Sequence, residues 1–438
     1  MALYVAPGAS PDTAARRARY VFPLKVSANR RYLVDQRGRP FLIAGDSPQA
    51  MIGNLSLKQA AFYLADRHRA GFDTVLVDLL CNTYTGCRSD GTTYDGIEPF
   101  RTPGDLSTPN PAYFARADAM IRLAAHYGMV VFLDPIETGG WLDVLRQNGV
   151  AKDRAYGRWV GRRYKRFANV LWWNGNDFQS WQNPADDAVV LAVAKGIRET
   201  DPQALQTVEL NYWRSGSLDD QRWRSVIRID GAYTYYATYA QVSQEYERKR
   251  FMPVVMQEAG YEFDQLSDFI SPGTPPVLRR EEYWSALSGA AGQLYGNHYT
   301  WPFLSGWQTH LDTVGSRQFG YLVRVLEGLR WYRLVPDIHH RLVTAGYGIY
   351  DESSNVASSD YVTAAATPDG KLALAYLPVG GTVSVDLARF RGRVRVRWFD
   401  PTTGRFQLSG SLLRNAGVVQ LSAPGTSHDW LLVLSTSR

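Results

Sequence analysis

The strongest constraint on the fold is a regular alternation of two kinds of segment along this 438-residue chain. One kind is short and continuously apolar, which is typical of parallel strands buried on both faces. The other has the 3.6-residue periodicity of amphipathic helices. Eight strands are predicted, at residues 40–46, 74–80, 129–134, 170–173, 206–210, 231–235, 254–257 and 293–299. Helices are predicted at residues 57–70, 111–127, 154–167, 186–200, 240–248, 280–290 and 316–333.

Eight strands alternating with helices fit a closed (β/α)8 barrel, which needs about 250 residues or more. The rival fold is an open doubly wound sheet, which would normally carry a glycine-rich phosphate-binding turn after its first strand. Here the first strand is followed by Gly45-Asp46-Ser47-Pro48, which is not such a turn. We therefore predict an α/β fold built on a closed TIM barrel.

From about Gly346 the pattern changes to short β segments separated by turns, with strands predicted at residues 372–376, 383–385, 394–398 and 430–434. Strands at this spacing without helices predict a small antiparallel β-sandwich. The predicted domains are an N-terminal extension (residues 1–22), a catalytic (β/α)8 barrel (residues 23–343) and a C-terminal β-sandwich accessory domain (residues 344–438).

Two of the predicted strands lead into a carboxyl residue, Asp177 in the first case and Glu258 in the second. Reacting groups in TIM barrels lie at the C-terminal ends of the strands, and strands four and seven face each other across the mouth. Carboxyl groups about 5–5.5 Å apart there would support the retaining mechanism of glycoside hydrolysis. We predict that Glu258 is the nucleophile and that Asp177 is the general acid and later the general base.

Other roles stay open for these carboxyl groups. Asp177 could cap the N-terminus of a following helix, because Asp is common at that position. Glu258 could be a structural carboxylate, which would need a buried Arg or Lys as its partner. Glu262 lies four residues further along the chain and is the main rival for the role of nucleophile.

The other strand ends carry polar and aromatic residues, which suits a site that binds many sugar hydroxyl groups. Asn176 is suited to a hydrogen bond with the sugar 2-hydroxyl, which strengthens in the transition state. Asp134 and Glu137 could instead pair with Arg at the rim, His298 could be a hydrogen-bonded rim residue, and Trp301 could plug a loop. The predicted substrate-binding residues are Asp46, Asn82, Asp134, Glu137, Trp173, Asn176, Tyr235, His298 and Trp301.

Composition disfavours several partners. The net charge of +6 is spread over isolated Arg residues and short pairs, so nucleic acid is not predicted as a partner. No apolar stretch approaches the roughly 20 residues of a membrane helix. Cys81 and Cys87, without clustered histidines, supply too few ligands for zinc, and neither a metal nor a cofactor is predicted. The two cysteines form a disulfide ring if the chain is exported and stay as thiols if it is not, and we favour the ring.

Location and assembly are less constrained. The first 20 residues lack the apolar core of a signal peptide. The expected location is therefore the periplasm or the exterior if a leader has been removed, and the cytoplasm otherwise. The sequence predicts no particular oligomeric state.

Five motifs carry a family resemblance, namely FLIAGD at residues 41–46, WWNGND at 172–177, QEAGYE at 257–262, RWFDPTTG at 397–404 and DWLLVL at 429–434. Together they resemble the apiosidase-like glycoside hydrolases, over nearly the whole chain from about residue 23. The resemblance implies a (β/α)8 barrel followed by a β-sandwich of a type named for collagen binding.

The resemblance also implies a retaining hydrolase whose strand-four aspartate is the acid/base and whose strand-seven glutamate is the nucleophile, which match Asp177 and Glu258. The wider barrel superfamily usually has Glu at the first of these positions, so Asp177 departs from the superfamily while agreeing with this group. The type activity of the group is release of the branched pentose apiose from pectic side chains.

The predicted function is therefore a retaining glycoside hydrolase that acts on a polysaccharide or oligosaccharide, at a pentose or furanose unit. One alternative is a carbohydrate-binding protein whose barrel has lost turnover. Another is a matrix-binding role led by the C-terminal domain. Carboxyl residues at both position 177 and position 258 favour the enzyme.

Overall fold

The computed structural model describes residues 20–179, 181–211, 213–265 and 271–436. Residues 1–19 of the predicted N-terminal extension lie outside the described residues. The strands are β1 (Lys25–Val26), β2 (Leu33–Val34), β3 (Pro40–Phe41), β4 (Ile43–Asp46), β5 (Thr74–Asp78), β6 (Val130–Asp134), β7 (Val170–Phe178), β8 (Gln206–Leu210), β9 (Arg214–Gly216), β10 (Asp230–Thr234), β11 (Val254–Glu258), β12 (Ala290–Tyr295), β13 (Val335–Pro336), β14 (Val343–Ala345), β15 (Thr363–Ala366), β16 (Leu372–Leu377), β17 (Thr382–Asp386), β18 (Val394–Asp400), β19 (Arg405–Leu413), β20 (Val418–Ser422) and β21 (Trp430–Thr436).

The helices are α1 (Met51–Asn54), α2 (Leu57–Ala70), α3 (Pro111–His126), α4 (Thr138–Tyr164), α5 (Pro184–Thr200), α6 (Thr238–Tyr246), α7 (Pro275–Leu287) and α8 (Val314–Glu327). Helix α2 has the predicted bounds. It begins with a capping box formed by Ser56 and Gln59 and ends at Gly71, whose φ of 105° is left-handed. Helix α4 is much longer than the predicted helix at residues 154–167, and it contains a kink at Gly149 (φ 76°).

The predicted fold class is confirmed, because eight parallel strands form a nearly closed barrel. Strands β4, β5, β6, β7 and β8 pair in sequence, and β12 returns to pair with β4 on one side and β11 on the other. Strand β9 is antiparallel to β10 and lies where β8 and β10 would meet. The Ser217 hydroxyl spans this gap, since it donates to the Val208 carbonyl and accepts from the Gly231 amide at 2.9 Å.

An apolar core fills the barrel below its C-terminal rim. Phe132 and Trp173, from neighbouring strands, pack edge to face with ring centroids 5.4 Å apart. The same core includes Leu33 and Phe41, which belong to the small antiparallel sheet β1-β2-β3 that precedes the barrel. This packed layer gives the strand ends a rigid base, which fixes the positions of the side chains above it.

The C-terminal region contains two antiparallel sheets, as predicted. The six-stranded sheet has the order β13-β15-β16-β21-β18-β19, and the three-stranded sheet has the order β14-β17-β20. Successive residues of β16 enter different cores: Leu374 and Tyr376 join the core of the barrel helices, whereas Ala375 and Leu377 join the core shared with the smaller sheet. Side chains alternate along a strand, so the larger sheet is buried on both faces.

A buried ion pair joins the two regions. Arg279 of α7 donates to both carboxylate oxygens of Asp429, just before β21, and Tyr376 donates to the same carboxylate at 2.9 Å. Among the described residues, no helix has both the length and the apolar character needed to span a membrane.

Candidate active site

Strand β7 presents Asp177 through an irregular end. Asn176 and Asp177 have φ values of 57° and 54°, in the left-handed region that such residues adopt only occasionally. Gly175 allows this turn, because a Cβ there would lie 2.3 Å from the backbone oxygen of Glu209. The Asp177 amide donates to Glu209 Oε2 at 3.2 Å, which anchors the turn to the neighbouring strand β8.

Glu258, the last residue of β11, accepts hydrogen bonds from three phenols. Its Oε1 accepts from Tyr235 at 2.5 Å and from Tyr233 at 3.1 Å, and its Oε2 accepts from Tyr261 at 2.8 Å. Tyr233 and Tyr235 are two residues apart on one chain segment, so both side chains point to the same face of the sheet. Burial and the charge of Glu258 raise the pKa of all three phenols, so they remain protonated donors.

Asp177 has fewer partners than Glu258. Its Oδ2 accepts from the Tyr84 hydroxyl at 2.6 Å, and this hydrogen bond lowers its pKa. Its Oδ1 is buried and has no hydrogen-bond partner among the described residues. The charge of Asp177 acts on Glu258, so the two carboxyl groups lie in one site.

Burial raises the pKa of both Asp177 and Glu258, and the charge of Asp177 raises that of Glu258 further. Two interacting carboxyl groups titrate as a pair, and a pair in a buried site shares one proton over the intermediate pH range. Three donors point at Glu258, and an ionised carboxylate is a pure acceptor. These hydrogen bonds lower the pKa of Glu258, but burial and the charge of Asp177 outweigh them and leave it at about 8.

Further carboxyl groups surround this pair. Glu137 precedes α4 and is fully buried, and among the described residues neither of its oxygens has a hydrogen-bond partner. The charges of Asp78, Asp134 and Asp177 add to the burial that raises its pKa. Burial raises the pKa of Asp78 to about 7. Among the described residues, no Lys, Arg or His forms an ion pair with Asp78, Asp134 or Glu137. The alternative role for Asp134 and Glu137, an ion pair with Arg at the rim, is therefore not seen among the described residues.

Asn176 lies directly beside Asp177. It is 2% exposed, and its buried side-chain nitrogen has no partner in the part of the chain that the structure describes, so a donor is available there. Asn82 instead caps a short 3₁₀ turn, where its side-chain oxygen accepts from the Tyr84 amide at 2.9 Å.

Four other predicted binding residues have partners or positions of a different kind. The Asp46 carboxylate is fully buried, accepts from Tyr63 at 2.6 Å and lies 3.5 Å from the Arg67 guanidinium. Trp173 belongs to the barrel core described above. The His298 ring lies 2.5 Å from the Asp264 carboxylate with 42% of its side chain exposed, and the Trp301 carbonyl accepts from the Ala50 amide.

Glu262, the rival nucleophile, supports helix α8. Its Oε1 accepts from the Gly315 amide at 2.8 Å, and its Oε2 accepts from the hydroxyls of Thr313 and Tyr295. The carboxylate is 1% exposed. Both oxygens thus accept hydrogen bonds from the start of helix α8, and one of them also accepts from Tyr295 of β12.

Four further residues of the site were not predicted from the sequence, namely Glu209, Tyr84, Tyr233 and Tyr261. Glu209 is a charged residue in an otherwise buried strand, and Tyr233 is two residues before the predicted Tyr235, so both had a detectable signal. Tyr84 had none, because it reaches Asp177 from 93 residues earlier. It lies within a ring closed by a Cys81–Cys87 disulfide. The two cysteines are therefore bridged in the structure, which is the favoured one of the two predicted states.

The site lies within a recognised family region. Residues 27–333 match the family described as "Apiosidase-like, catalytic domain", and residues 349–435 match "Putative collagen-binding domain of a collagenase". No curated protein matches the chain. Among the described residues, no group of three or more His, Cys, Asp or Glu side chains is arranged to hold a metal ion.

Two solved structures share the fold. One, described as a glycoside hydrolase, aligns with a TM-score of 0.82 at 20% identity over 96% of this chain and 99% of its own. The other, a glycoside hydrolase family 5 protein from Bacteroides vulgatus, aligns with a TM-score of 0.81 at 20% identity over 94% of this chain and 93% of its own. At this identity the likeness is one of fold.

Proposed function

The chain belongs to the apiosidase-like catalytic-domain family, and from that premise we propose that it is a retaining glycoside hydrolase with Glu258 as nucleophile and Asp177 as acid/base. The observation that carries the proposal is the unequal bonding of the two carboxyl groups. Glu258 accepts from three phenols, whereas Asp177 keeps one buried oxygen without a partner. Hydrolysis by retention needs one ionised and one protonated carboxyl group, and this asymmetry supports that division.

The proposed reaction has two displacements. First, the Glu258 carboxylate attacks the anomeric carbon while Asp177 gives its proton to the departing glycosidic oxygen, so a glycosyl ester forms and the leaving group departs as an alcohol. Then the ionised Asp177 takes a proton from water, and the resulting hydroxide displaces Glu258 from the anomeric carbon. Both carboxyl groups return to their starting states, and the product keeps the anomeric configuration of the substrate.

Neighbouring residues supply the binding groups in this proposal. The unpartnered amide of Asn176 is suited to the sugar 2-hydroxyl, next to the acid. Glu137 lies within electrostatic reach of Asp177, and burial raises its pKa, so a protonated Glu137 can donate to a second hydroxyl. The other proposed substrate-binding residues are Asn82, Asp134 and Tyr235, together with Asp46, Trp173, His298 and Trp301, whose surroundings favour a supporting role.

The family name supports a pentose, in furanose form, as the sugar that is released. The C-terminal β-sandwich is proposed as an accessory domain that starts at about residue 344, after a barrel of residues 23–343. The two carboxyl groups at one site support turnover over a purely binding role.

The test is turnover of a panel of aryl furanosides and pyranosides by the full chain. We expect hydrolysis of at least one furanoside, and NMR of the first-formed product should show retained configuration. Glu258→Ala and Asp177→Ala should each lose at least about a thousandfold in kcat/KM with an unchanged circular dichroism spectrum. Azide should restore turnover to both variants, giving a glycosyl azide of inverted configuration with Glu258→Ala and of retained configuration with Asp177→Ala.

Near-normal turnover by either folded variant would contradict the assignment. Binding of oligosaccharides without turnover of any member of the panel would instead support a carbohydrate-binding protein.

A further inference from the structure

A cavity lies beside Asp177. Its volume is about 340 Å³, and its lining includes Tyr84, Gly139, Leu142, Asp177 and Gln179, but not Glu258. Ligand pockets have volumes of roughly 300–1,000 Å³, so the cavity has room for a small ligand. Of these two carboxyl residues, only Asp177 lines the cavity.

Tyr84 lines the cavity and also contacts Asp177, the proposed acid. Its hydroxyl donates to Asp177 Oδ2 at 2.6 Å, while its ring lines the cavity. Burial and the charge of Asp177 raise the pKa of Tyr84, so the phenol keeps its proton and acts as the donor. This hydrogen bond occupies one Asp177 oxygen and leaves the other for the substrate.

Three features of the chain hold Tyr84 in place. The Cys81–Cys87 disulfide closes the ring that contains it, and Asn82 caps its 3₁₀ turn from within the same ring. Helix α4 packs against the tyrosine through Gly139, where a Cβ would lie 2.1–2.4 Å from atoms of the Tyr84 ring. Any side chain at position 139 would therefore displace the phenol.

We propose that this cavity is the subsite for the leaving group and that Tyr84 is the positioning residue that joins it to the general acid. The proposal rests on the function proposed above. In a retaining hydrolase the acid lies on the side of the departing oxygen and the nucleophile lies on the opposite face of the sugar ring. A cavity bordered by Asp177 and not by Glu258 is suited to the departing group.

The cavity favours a neutral leaving group, such as an uncharged sugar. Its one cationic lining residue, Arg146, already donates to Asp186 through two nitrogens at 2.6 and 2.9 Å and to Asp143 at 2.7 Å. Its charge is therefore compensated within the protein. The exposed ring of Tyr84 offers a flat apolar surface on which a sugar face can stack.

Leaving-group dependence tests the role of Tyr84. A nitrophenolate departs without protonation, whereas an alkyl or sugar alcohol needs the acid. With the glycone that the wild type accepts, Tyr84→Phe should lower kcat/KM by at least about tenfold for an alkyl or disaccharide substrate and by less than about threefold for the nitrophenyl glycoside. The lost hydrogen bond had lowered the pKa of Asp177, so the alkaline limb of the pH profile should move to higher pH.

Two further variants separate this role from simple structural damage. Gly139→Ala should reproduce the Tyr84→Phe pattern by displacing the ring, and in a Tyr84→Ala background it should have little further effect. Likewise, Tyr84→Phe should cost much less in a Cys81→Ser/Cys87→Ser background than in the wild type, because coupled residues are not additive. Tyr94→Phe, at a tyrosine 42% exposed in the neighbouring loop, is the matched control and should leave both substrates unchanged.

The possible failures are distinguishable. If the wild type hydrolyses glycosides but Tyr84→Phe keeps the wild-type pH profile and loses equally on both substrates, the inference about Tyr84 is overturned while the proposed function stands. If the wild type hydrolyses no glycoside at all, the proposed function fails first, and the inference fails with it. If the double cysteine variant does not fold, Tyr84→Phe and Gly139→Ala still decide the question.

Discussion

Glu258 is surrounded by hydroxyl donors, and among the described residues no cation forms an ion pair with it. A cation would stabilise the ionised carboxylate more strongly than the neutral glycosyl ester that follows, which would raise the barrier to attack. Hydrogen bonds from phenols orient the carboxylate and lower its pKa, and they raise the barrier to attack less than a cation would. The three tyrosines are thus suited to a nucleophile that must give up its charge during the reaction.

This arrangement predicts a pH effect for Tyr235→Phe. The Tyr235 hydrogen bond lowers the pKa of Glu258, so its loss should raise that pKa. Because the proposed nucleophile must be ionised to attack, the acidic limb of the kcat/KM profile should move up by roughly one pH unit, with a tenfold or greater loss of kcat/KM below that limb. Tyr236→Phe, at the next position, is the control. An unchanged acidic limb in Tyr235→Phe would argue against the ionised role of Glu258.

Glu209 predicts a different kind of effect, because it holds Asp177 through the backbone. Its Oε2 accepts from the Asp177 amide within the left-handed turn. Glu209→Ala should therefore lower kcat by about tenfold or more with a smaller change in KM, as the acid loses its position. Glu209→Gln keeps an acceptor oxygen and should recover most of kcat. Equal losses in the two variants would show that the negative charge, and not the acceptor, is what matters.

The sequence predicts residues of this site only where they obey a local rule. Asp177 and Glu258 follow apolar strands, and such ends meet at one rim of a barrel. Tyr84 obeys no such rule, since its contact with Asp177 depends on how a disulfide ring and helix α4 pack together. Asp46 shows the opposite limit: it lies at a strand end as predicted, yet Arg67 and Tyr63 of helix α2 bind its carboxylate.

At the scale of elements, helix α4 shows where periodicity stops being informative. The sequence predicts only residues 154–167, whereas the helix begins at Thr138. Gly139, Gly140 and Gly149 reduce helix propensity and mask the first half. Two of these glycines are explained by packing, because a Cβ at 139 would meet Tyr84 and one at 140 would meet Asn82. The glycines that weaken the helical pattern in the sequence are therefore the residues that let the disulfide ring pack closely against helix α4.

Helix α8 leads to a stability prediction for Glu262. Its carboxylate accepts from the Gly315 amide and from the Thr313 and Tyr295 hydroxyls, all buried. Glu262→Ala should lower the free energy of unfolding by on the order of 3 kcal/mol, because these donors lose their acceptor. Urea unfolding measures this loss, and Glu262→Gln, which keeps one acceptor, should lose less. Under conditions where Glu262→Ala is folded, its kcat should stay within about threefold of wild type. Loss of all turnover in the folded variant would instead support Glu262 as the nucleophile.

At the scale of the molecule, the barrel and the C-terminal sheets share one apolar core. Leu374, Tyr376, Leu431 and Val433 from the six-stranded sheet pack in the same core as the barrel helices, and Tyr376 stacks on Tyr283 with ring centroids 4.7 Å apart. The sequence shows where the helices stop and the β pattern begins. It does not show that one face of the sheet is covered by α7. Strands β16 and β21 have apolar residues on both faces, so their sequences do not tell the two faces apart.

The shared core predicts that the full chain unfolds in urea as a single cooperative unit, and the Arg279–Asp429 pair tests this. Both side chains are about 5% exposed or less, so removing one leaves the other charge buried without its partner. Asp429→Ala should therefore cost about 3–5 kcal/mol, and Arg279→Met a similar amount. The double variant should cost much less than the two losses together, since it removes both charges. Tryptophan fluorescence and far-ultraviolet circular dichroism should show one transition with the same midpoint in each variant; two separate transitions would mean that the two regions fold independently despite their common core.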